Sequence, residues 1–369
     1  MALYHFSAKA LSRGSRNTVR AITYRAGCEL YDQQTGQTFN YGDKAVQHVE
    51  LVLPKDAPSW AIETQKLMAE DRQKGVQAFV DIVEAAEKRV DARVWREFEF
   101  ALHRELTEEQ NKTLAREFVQ DQLSGRGMAA QLNFHCEVDE ETGEEKPHCH
   151  VTVTTRRLVE HGLSEKKEVE WDKKAMLFDL REQWANYSNF HLKLHGHDVQ
   201  IDHRSNKERG IEMEPQPKQG KGILEQETRN KSLTLIEIDP VTDKAQSFYD
   251  VQLRNLYRIM KNPEVVLEIV TKHHGTFMWA DVQKKLHQYV DHAPLFERLE
   301  SKLKRSNELV LLRMEIVRDS SGTMQNKAIY TTRSMLKAER SLIEQAEKVI
   351  WITVEIPRHR LFEQTDYSL

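Results

Sequence analysis

Cysteine is scarce in this 369-residue chain: Cys28, Cys136 and Cys149 are the only three, they form no CxxC pair, and they cannot all pair with one another. A disulfide-stapled secreted fold is therefore not expected, and reduced thiols in a cytoplasm are the simplest reading. Long apolar runs are also missing. No stretch approaches the roughly 20 apolar residues that span a bilayer, and MALYHFSAKALSRGSRN has no uninterrupted apolar core with a small-residue cleavage site after it. The chain is expected to be soluble, with no membrane insertion. Nor is there a strong excess of one charge. Lys plus Arg number 54 against 58 Asp plus Glu, a net charge of -4, which argues against a protein that coats nucleic acid indiscriminately by neutralising phosphates. A GxxxxGK[ST] phosphate loop is absent too; QGKGI has neither its spacing nor its Ser or Thr, so ATP-driven unwinding is not expected of this chain.

The length allows two or three domains of roughly 100–200 residues each. Residues 2–8 read as a strand, 16–30 as a helix carrying Tyr24, 45–53 as a second strand stopped by Pro54, and about 60–93 as helical. In Val94–Leu102 apolar residues alternate with polar ones, so Glu97 and Glu99 share a face. Thr107 followed by Gln110 forms a capping-box start for a helix ending near Gly125, and Asp172 is expected to cap a long amphipathic helix ending at Gly196. A first domain over 1–204, a polar linker with Pro215, Pro217, Gly220 and Gly222 over 205–245, and a smaller, mainly helical region over 246–369 follow. A short β-like pair near 309–317 and 327–332 makes the last region compatible with a winged-helix-like module.

The chemistry concentrates in one hairpin. In 131–138, Gln131, Asn133, His135 and Glu137 point one way; in the next strand His148, His150, Thr152 and Thr154 do the same. Three imidazoles thus converge on one sheet face, and three ligands leave positions open for a substrate oxygen, as in catalytic metal sites. Imidazole suits Zn, Mn, Co or Ni. Two other groupings, His195 with His197 and the adjacent His273 and His274, are less favourable: the first straddles a helix end, and neighbours cannot face one side of a regular element. Tyr24 reads either as a packing residue or as a nucleophile. A phenol, with an unperturbed pKa of roughly 10, needs nearby positive charge or a metal-polarised phosphate to react near neutrality. Residues 1–25 hold Lys9, Arg13, Arg16, Arg20 and Arg25 with no acid among them, which is either a DNA-binding face beside Tyr24 or an ordinary solvated one. Glu97 and Glu99 offer proton acceptors or carboxylate partners for the histidines, with solvation as the alternative.

YRAGCELYDQQTG, VEAAEKRVDARVWREFEFALHREL, MAAQLNFHC, PHCHVTVTTR, REQWANYSN and IDHRSNKERGIEMEP together resemble the MobA/MobL family of plasmid mobilisation relaxases, particularly its TraA-type members, over most of residues 1–217. The resemblance implies an α+β relaxase domain of the HUH type, with a central antiparallel sheet flanked by helices. It implies a divalent metal, Mg or Mn in use, on His135, His148 and His150. Tyr24 would attack a scissile phosphate to give a 5′-phosphotyrosyl adduct and a free 3′-hydroxyl, with Glu99 the preferred catalytic auxiliary; Glu84 and Glu87 also fall in family-like acidic segments. The substrate implied is single-stranded or cruciform origin-of-transfer DNA, with a coupling ATPase and a type IV secretion system as partners and the cytoplasm, or transfer along with the strand, as location. TTRSMLKAERSLIEQAEKV resembles the region leading into the helicase of long TraA-type relatives. Two alternatives stay open: a rolling-circle replication initiator or transposase with the same chemistry, and a non-catalytic DNA-binding protein with a structural metal.

Overall fold

The computed structural model describes residues 4–138, 143–215, 243–271, 275–318 and 324–354, in two compact units, Met1–His203 and Arg204–Leu369. The first is built on an antiparallel five-stranded sheet of order β1-β5-β7-β6-β4. Its strands are β1 (Phe6–Ser12), β4 (His48–Val52), β5 (Arg93–Ala101), β6 (Ala130–Val138) and β7 (Glu145–Thr154). Two small hairpins, β2 (Glu29–Asp32) with β3 (Gln37–Asn40) and β8 (Arg156–Val159) with β9 (Gly162–Lys167), stand apart from it. Five helices flank the sheet: α1 (Thr18–Ala26), α2 (Ser59–Glu70), α3 (Arg72–Ala85), α4 (Glu108–Gln122) and α5 (Lys174–Leu194). This is the α+β architecture expected, a central antiparallel sheet with helices against it.

Strand alternation gives the sheet two different faces. On one, Phe98, Phe100, Leu132, Phe134, Cys149, Val151 and Val153 pack under α4 and α5, with Leu114, Phe118, Leu180 and Trp184 completing a dry core. On the other, an apolar patch under α1 and α3, holding Leu11, Ile22, Phe79 and Trp95, fills one end, and the remainder is polar.

Several local expectations changed in detail. The first strand begins at Phe6 rather than residue 2. The helical stretch after residue 59 breaks at Asp71, whose carboxylate accepts from the Lys74 N–H and starts α3 as a separate helix. Thr107 and Gln110 do form the reciprocal capping box of α4. Asp172 does not cap α5: Lys173 occupies that place, and Asp172 instead accepts from Arg93 and, at 2.9 Å, from Arg96 Nε on β5. Two guanidinium partners outweigh a backbone N–H as a use for that charge.

In the second unit, α6 (Asp243–Lys261) and α7 (Val265–Thr271) precede β10 (Phe277–Met278), α8 (Trp279–His287), α9 (Ala293–Lys304), β11 (Leu309–Arg318), β12 (Met324–Thr332) and α10 (Arg333–Val354). The three strands form a sheet of order β10-β12-β11. From α7 to β12 the order is helix, strand, helix, helix, strand, strand. Ile211 and Met213 are buried in this unit's core with Ile259, Val266 and Leu303, so the described start of the segment read as a linker is packed; residues 216–242 of that segment, and His273 and His274, lie outside the described residues. No helix among the described residues is long and apolar enough to cross a membrane.

Candidate active site

The polar end of the sheet is assembled by register. His135 on β6 and His148 on β7 are direct cross-strand partners, and His150 lies two residues along β7, opposite Asn133 on β6 and Glu99 on β5. The three ring centroids are 5.1–5.4 Å apart, and one ligand atom from each falls within 4.8 Å of the others. Each imidazole also has one nitrogen committed elsewhere. His148 Nδ1 donates to the Lys146 carbonyl at 2.9 Å, His150 Nδ1 to Glu97 at 2.9 Å, and His135 Nε2 to the Arg25 carbonyl at 2.8 Å. The acceptors fix these tautomers and leave the second nitrogen of each ring as a lone pair. Burial pushes His135 down to about 3, with the charges of Lys44, His150 and His148 adding to it, and burial likewise lowers His148. Three imidazoles on one face, each with one nitrogen held by a protein acceptor and a ligand atom within 4.8 Å of the others, are a donor set that suits a divalent cation, so these residues fit one.

Glu97 ties the site to α1. Its carboxylate is fully buried and takes both nitrogens of the Arg25 fork, Nη2 at 2.6 Å, as well as His150. Lys9 on β1 adds its ammonium 3.2 Å away. Burial alone raises Glu97, but the hydrogen bonds from His150 and Arg25 and the charges of Arg25 and Lys9 overrule it and hold the carboxyl at about 2. Glu99 is also held at about 2, first by His5 at 3.4 Å, against the opposing effect of burial, with the charges of His150, His5 and Lys9 assisting. It stands 3.9 Å from His150 Nδ1. Glu97 rather than Glu99 is thus the carboxylate that orients a histidine; both share the face that alternation assigned them, and although the register sets His150 opposite Glu99, the side-chain hydrogen bond goes to Glu97.

Tyr24 projects from the last turn of α1 and is 45% exposed, beside the buried Arg25. Its ring meets Tyr41 edge-on at 5.3 Å, and Lys44 Nζ lies 3.5 Å from its centroid. Gly27 makes that approach feasible: it ends α1 at φ +57°, and a Cβ there would meet the Lys44 carbonyl at 2.9 Å. Arg20 Nε donates to the Tyr41 hydroxyl at 2.8 Å. Tyr41, Lys44 and His5 carry no periodic signal linking them to this site, and sequence reasoning missed them.

The five cations of residues 1–25 part company in the structure. Arg16 and Arg20 are exposed, and Lys9 is exposed at its side chain while its ammonium also pairs with Glu97 and Glu99. Arg25 is buried on Glu97, and the Arg13 side chain, on the Glu84 carboxylate at 2.6 Å, is 8% exposed. Both are spent internally, which corrects the reading of all five as one face open to DNA. Glu84 also accepts from Thr18, and Glu87 pairs with Arg156 and Lys167; both family-like acids hold the scaffold.

The MobA/MobL family matches residues 16–229 of this sequence. The chain belongs to the MobA/MobL family. Conjugal transfer protein TraA of Agrobacterium fabrum is 32% identical over 376 residues, covering 96% of this chain and 33% of that protein. Mobilization protein MobL of Acidithiobacillus ferridurans is 35% identical over 245 residues, 58% of this chain and 61% of its own. This MobA/MobL chain therefore spans 33% of the length of that TraA relative. A solved chain from work on the molecular basis of vancomycin resistance transfer in Staphylococcus aureus aligns with 55% of this chain and 100% of its own, at 26% identity and TM-score 0.47. The metal-bound conjugative relaxase TrwC with oriT DNA aligns with 82% and 98%, at 11% identity and TM-score 0.29. Tyr24, Lys44, Glu97 and the three histidines all lie inside the family match; Lys9 on β1 precedes it.

Proposed function

We propose that this chain is the nicking portion of a plasmid transfer relaxase, cutting one strand of origin-of-transfer DNA at a specific site to start conjugative mobilisation. The Tyr24 hydroxyl oxygen bonds to the scissile phosphorus, the bond from phosphorus to the 3′ oxygen breaks, and that oxygen takes a proton from water and leaves as a 3′-hydroxyl, with the 5′ end held as a phosphotyrosyl ester. The phosphodiester energy is conserved for later rejoining. A divalent ion on His135, His148 and His150, Mg or Mn in use with Zn, Co or Ni also suited to imidazole, would supply Lewis-acid polarisation of the phosphate. Glu97 holds the His150 ring, and Glu99, ionised and 27% exposed at its side chain, is the assigned acceptor for the phenol proton. Lys44 places a cation against the Tyr24 ring, and Lys9, Arg16 and Arg20 offer exposed charge to the backbone of single-stranded or cruciform DNA. A coupling ATPase and a type IV secretion system as partners, and a cytoplasmic location for this chain, complete the reading.

The observation that carries it is Arg25. Its carbonyl accepts from His135 and its guanidinium grips the glutamate that holds His150, so the residue next to Tyr24 fixes the proposed nucleophile's helix to two of the three proposed ligands. The test is intact-mass and peptide mapping after incubation with Mg or Mn and tiled single-stranded oligonucleotides from the DNA flanking the gene. An oligonucleotide adduct on Tyr24, lost in Tyr24→Phe and on chelation, is expected. No adduct on any tile, with metal bound and DNA affinity intact, would favour a non-catalytic DNA-binding protein instead.

A further inference from the structure

The residues assigned to that chemistry all lie in the first unit, and one helix of the second presents a basic face. In α9, Phe296, Leu299 and Leu303 point into the core, and on the opposite side Arg298, Lys302 and Arg305 are exposed at positions i, i+4 and i+7. None of the three is paired with a carboxylate among the described residues, although Glu297 lies on the same surface. Glu300 on the same helix is occupied by Trp279 Nε1, Gln283 and Lys304, which leaves Glu297 as the acid lining the surface with Arg298, Lys302 and Arg305. The three cations span about 10 Å of helix, roughly three backbone steps of one DNA strand at about 3.4 Å each. The element order points the same way, since α8 and α9 stand as the two helices of a helix-turn-helix, whose second helix enters a major groove, with β11 and β12 following as a wing.

We propose that the second unit is a duplex DNA-binding module, in which α9 lies against double-stranded DNA with Arg298, Lys302 and Arg305 set on backbone phosphates. It gives the chain a hold on duplex DNA separate from the proposed nicking face and independent of the Tyr24 chemistry.

The test is fluorescence anisotropy of the full chain on a blunt duplex of random sequence, titrated from about 50 to 200 mM salt. In the combined variant Arg298→Gln, Lys302→Gln, Arg305→Gln, the slope of log affinity against log salt is expected to fall by about 2.7, three phosphates at about 0.9 each. Circular dichroism and any Tyr24 adduct should stay native. The charge-retaining variant Arg298→Lys, Lys302→Arg, Arg305→Lys should keep the native slope. No duplex affinity in the native chain, an unchanged slope in the folded Gln variant, or a slope lost equally in the charge-retaining variant would each overturn the proposal.

Discussion

The two faces of the five-stranded sheet are both buried, but by opposite means. Under α4 and α5 the packing is apolar and aromatic, with Phe100 and Trp184 centroids 4.0 Å apart, and needs no specific partner to remain dry. On the other face Glu97, Gln131, Asn133, His135 and Thr152 are each no more than 1% exposed, and particular pairs hold them: Gln131 Nε2 donates to Asn133 at 2.8 Å, Asn133 to the His150 carbonyl at 3.1 Å, and Arg25 to Glu97, while Gln131 Oε1 is left without a protein partner. A polar group buried without a partner costs about 1–3 kcal/mol. The difference separates stability, which the apolar face supplies generically, from positioning, which the polar face supplies through particular pairs.

The largest break in this contrast should come from Glu97→Gln. It strands the Arg25 charge, for which about 3–5 kcal/mol of destabilisation is expected by denaturant titration. It should also weaken metal binding about 10- to 100-fold by calorimetry, because His150 loses its carboxylate. Phe100→Ala should cost a similar 3–5 kcal/mol through the cavity it leaves, yet keep metal affinity within a few-fold; a matching loss would erase the distinction between the faces.

A pH experiment sharpens it next. His103, stacked on Trp184 beneath the apolar side, is pushed down to about 4 by burial and by the charge of His191, against the opposing effect of Glu105. The unfolded chain takes up that proton near pH 6.5 while the folded chain resists, so the stability at stake is fully present above about 6.5 and lost as pH falls toward 4. His103 should account for on the order of 3 kcal/mol of the loss over that window, so the pH slope of stability should be shallower by that share in His103→Asn; equal slopes for the two proteins would count against it. The smallest effect is expected at Lys44→Gln. Removing a cation from the Tyr24 ring is worth about 0.5–2 kcal/mol, so single-turnover adduct formation should slow about 2- to 30-fold, with partial rescue by Lys44→Arg and metal binding retained.

Much of the architecture was legible because it follows from periodicity. Alternation along 94–102, 131–138 and 148–154 placed Glu97, Glu99 and the three histidines on shared faces, and Thr107 with Gln110 marked a helix start from local hydrogen bonding alone. What was missed involves competition between partners far apart in sequence. Asp172 had a plausible local use as a cap, and two arginines on β5 claimed it. Ile211 and Met213 sit in a stretch rich in turn formers and charge, and only the second unit's core reveals that they are packed.

The sequence by itself determined which side chains would stand together on each strand, because a pleated backbone sends successive residues to opposite faces whatever lies around it. It thereby determined the triad His135, His148 and His150. Only the tertiary structure decided which cations are open and which are spent, that Glu97 rather than Glu99 holds His150, and that Lys44 lies on Tyr24. Arg25 meets Glu97 across 72 residues and Arg13 meets Glu84 across 71. No local period encodes such contacts; they exist only once α1, α3 and the sheet have packed and a buried charge must find its counterpart.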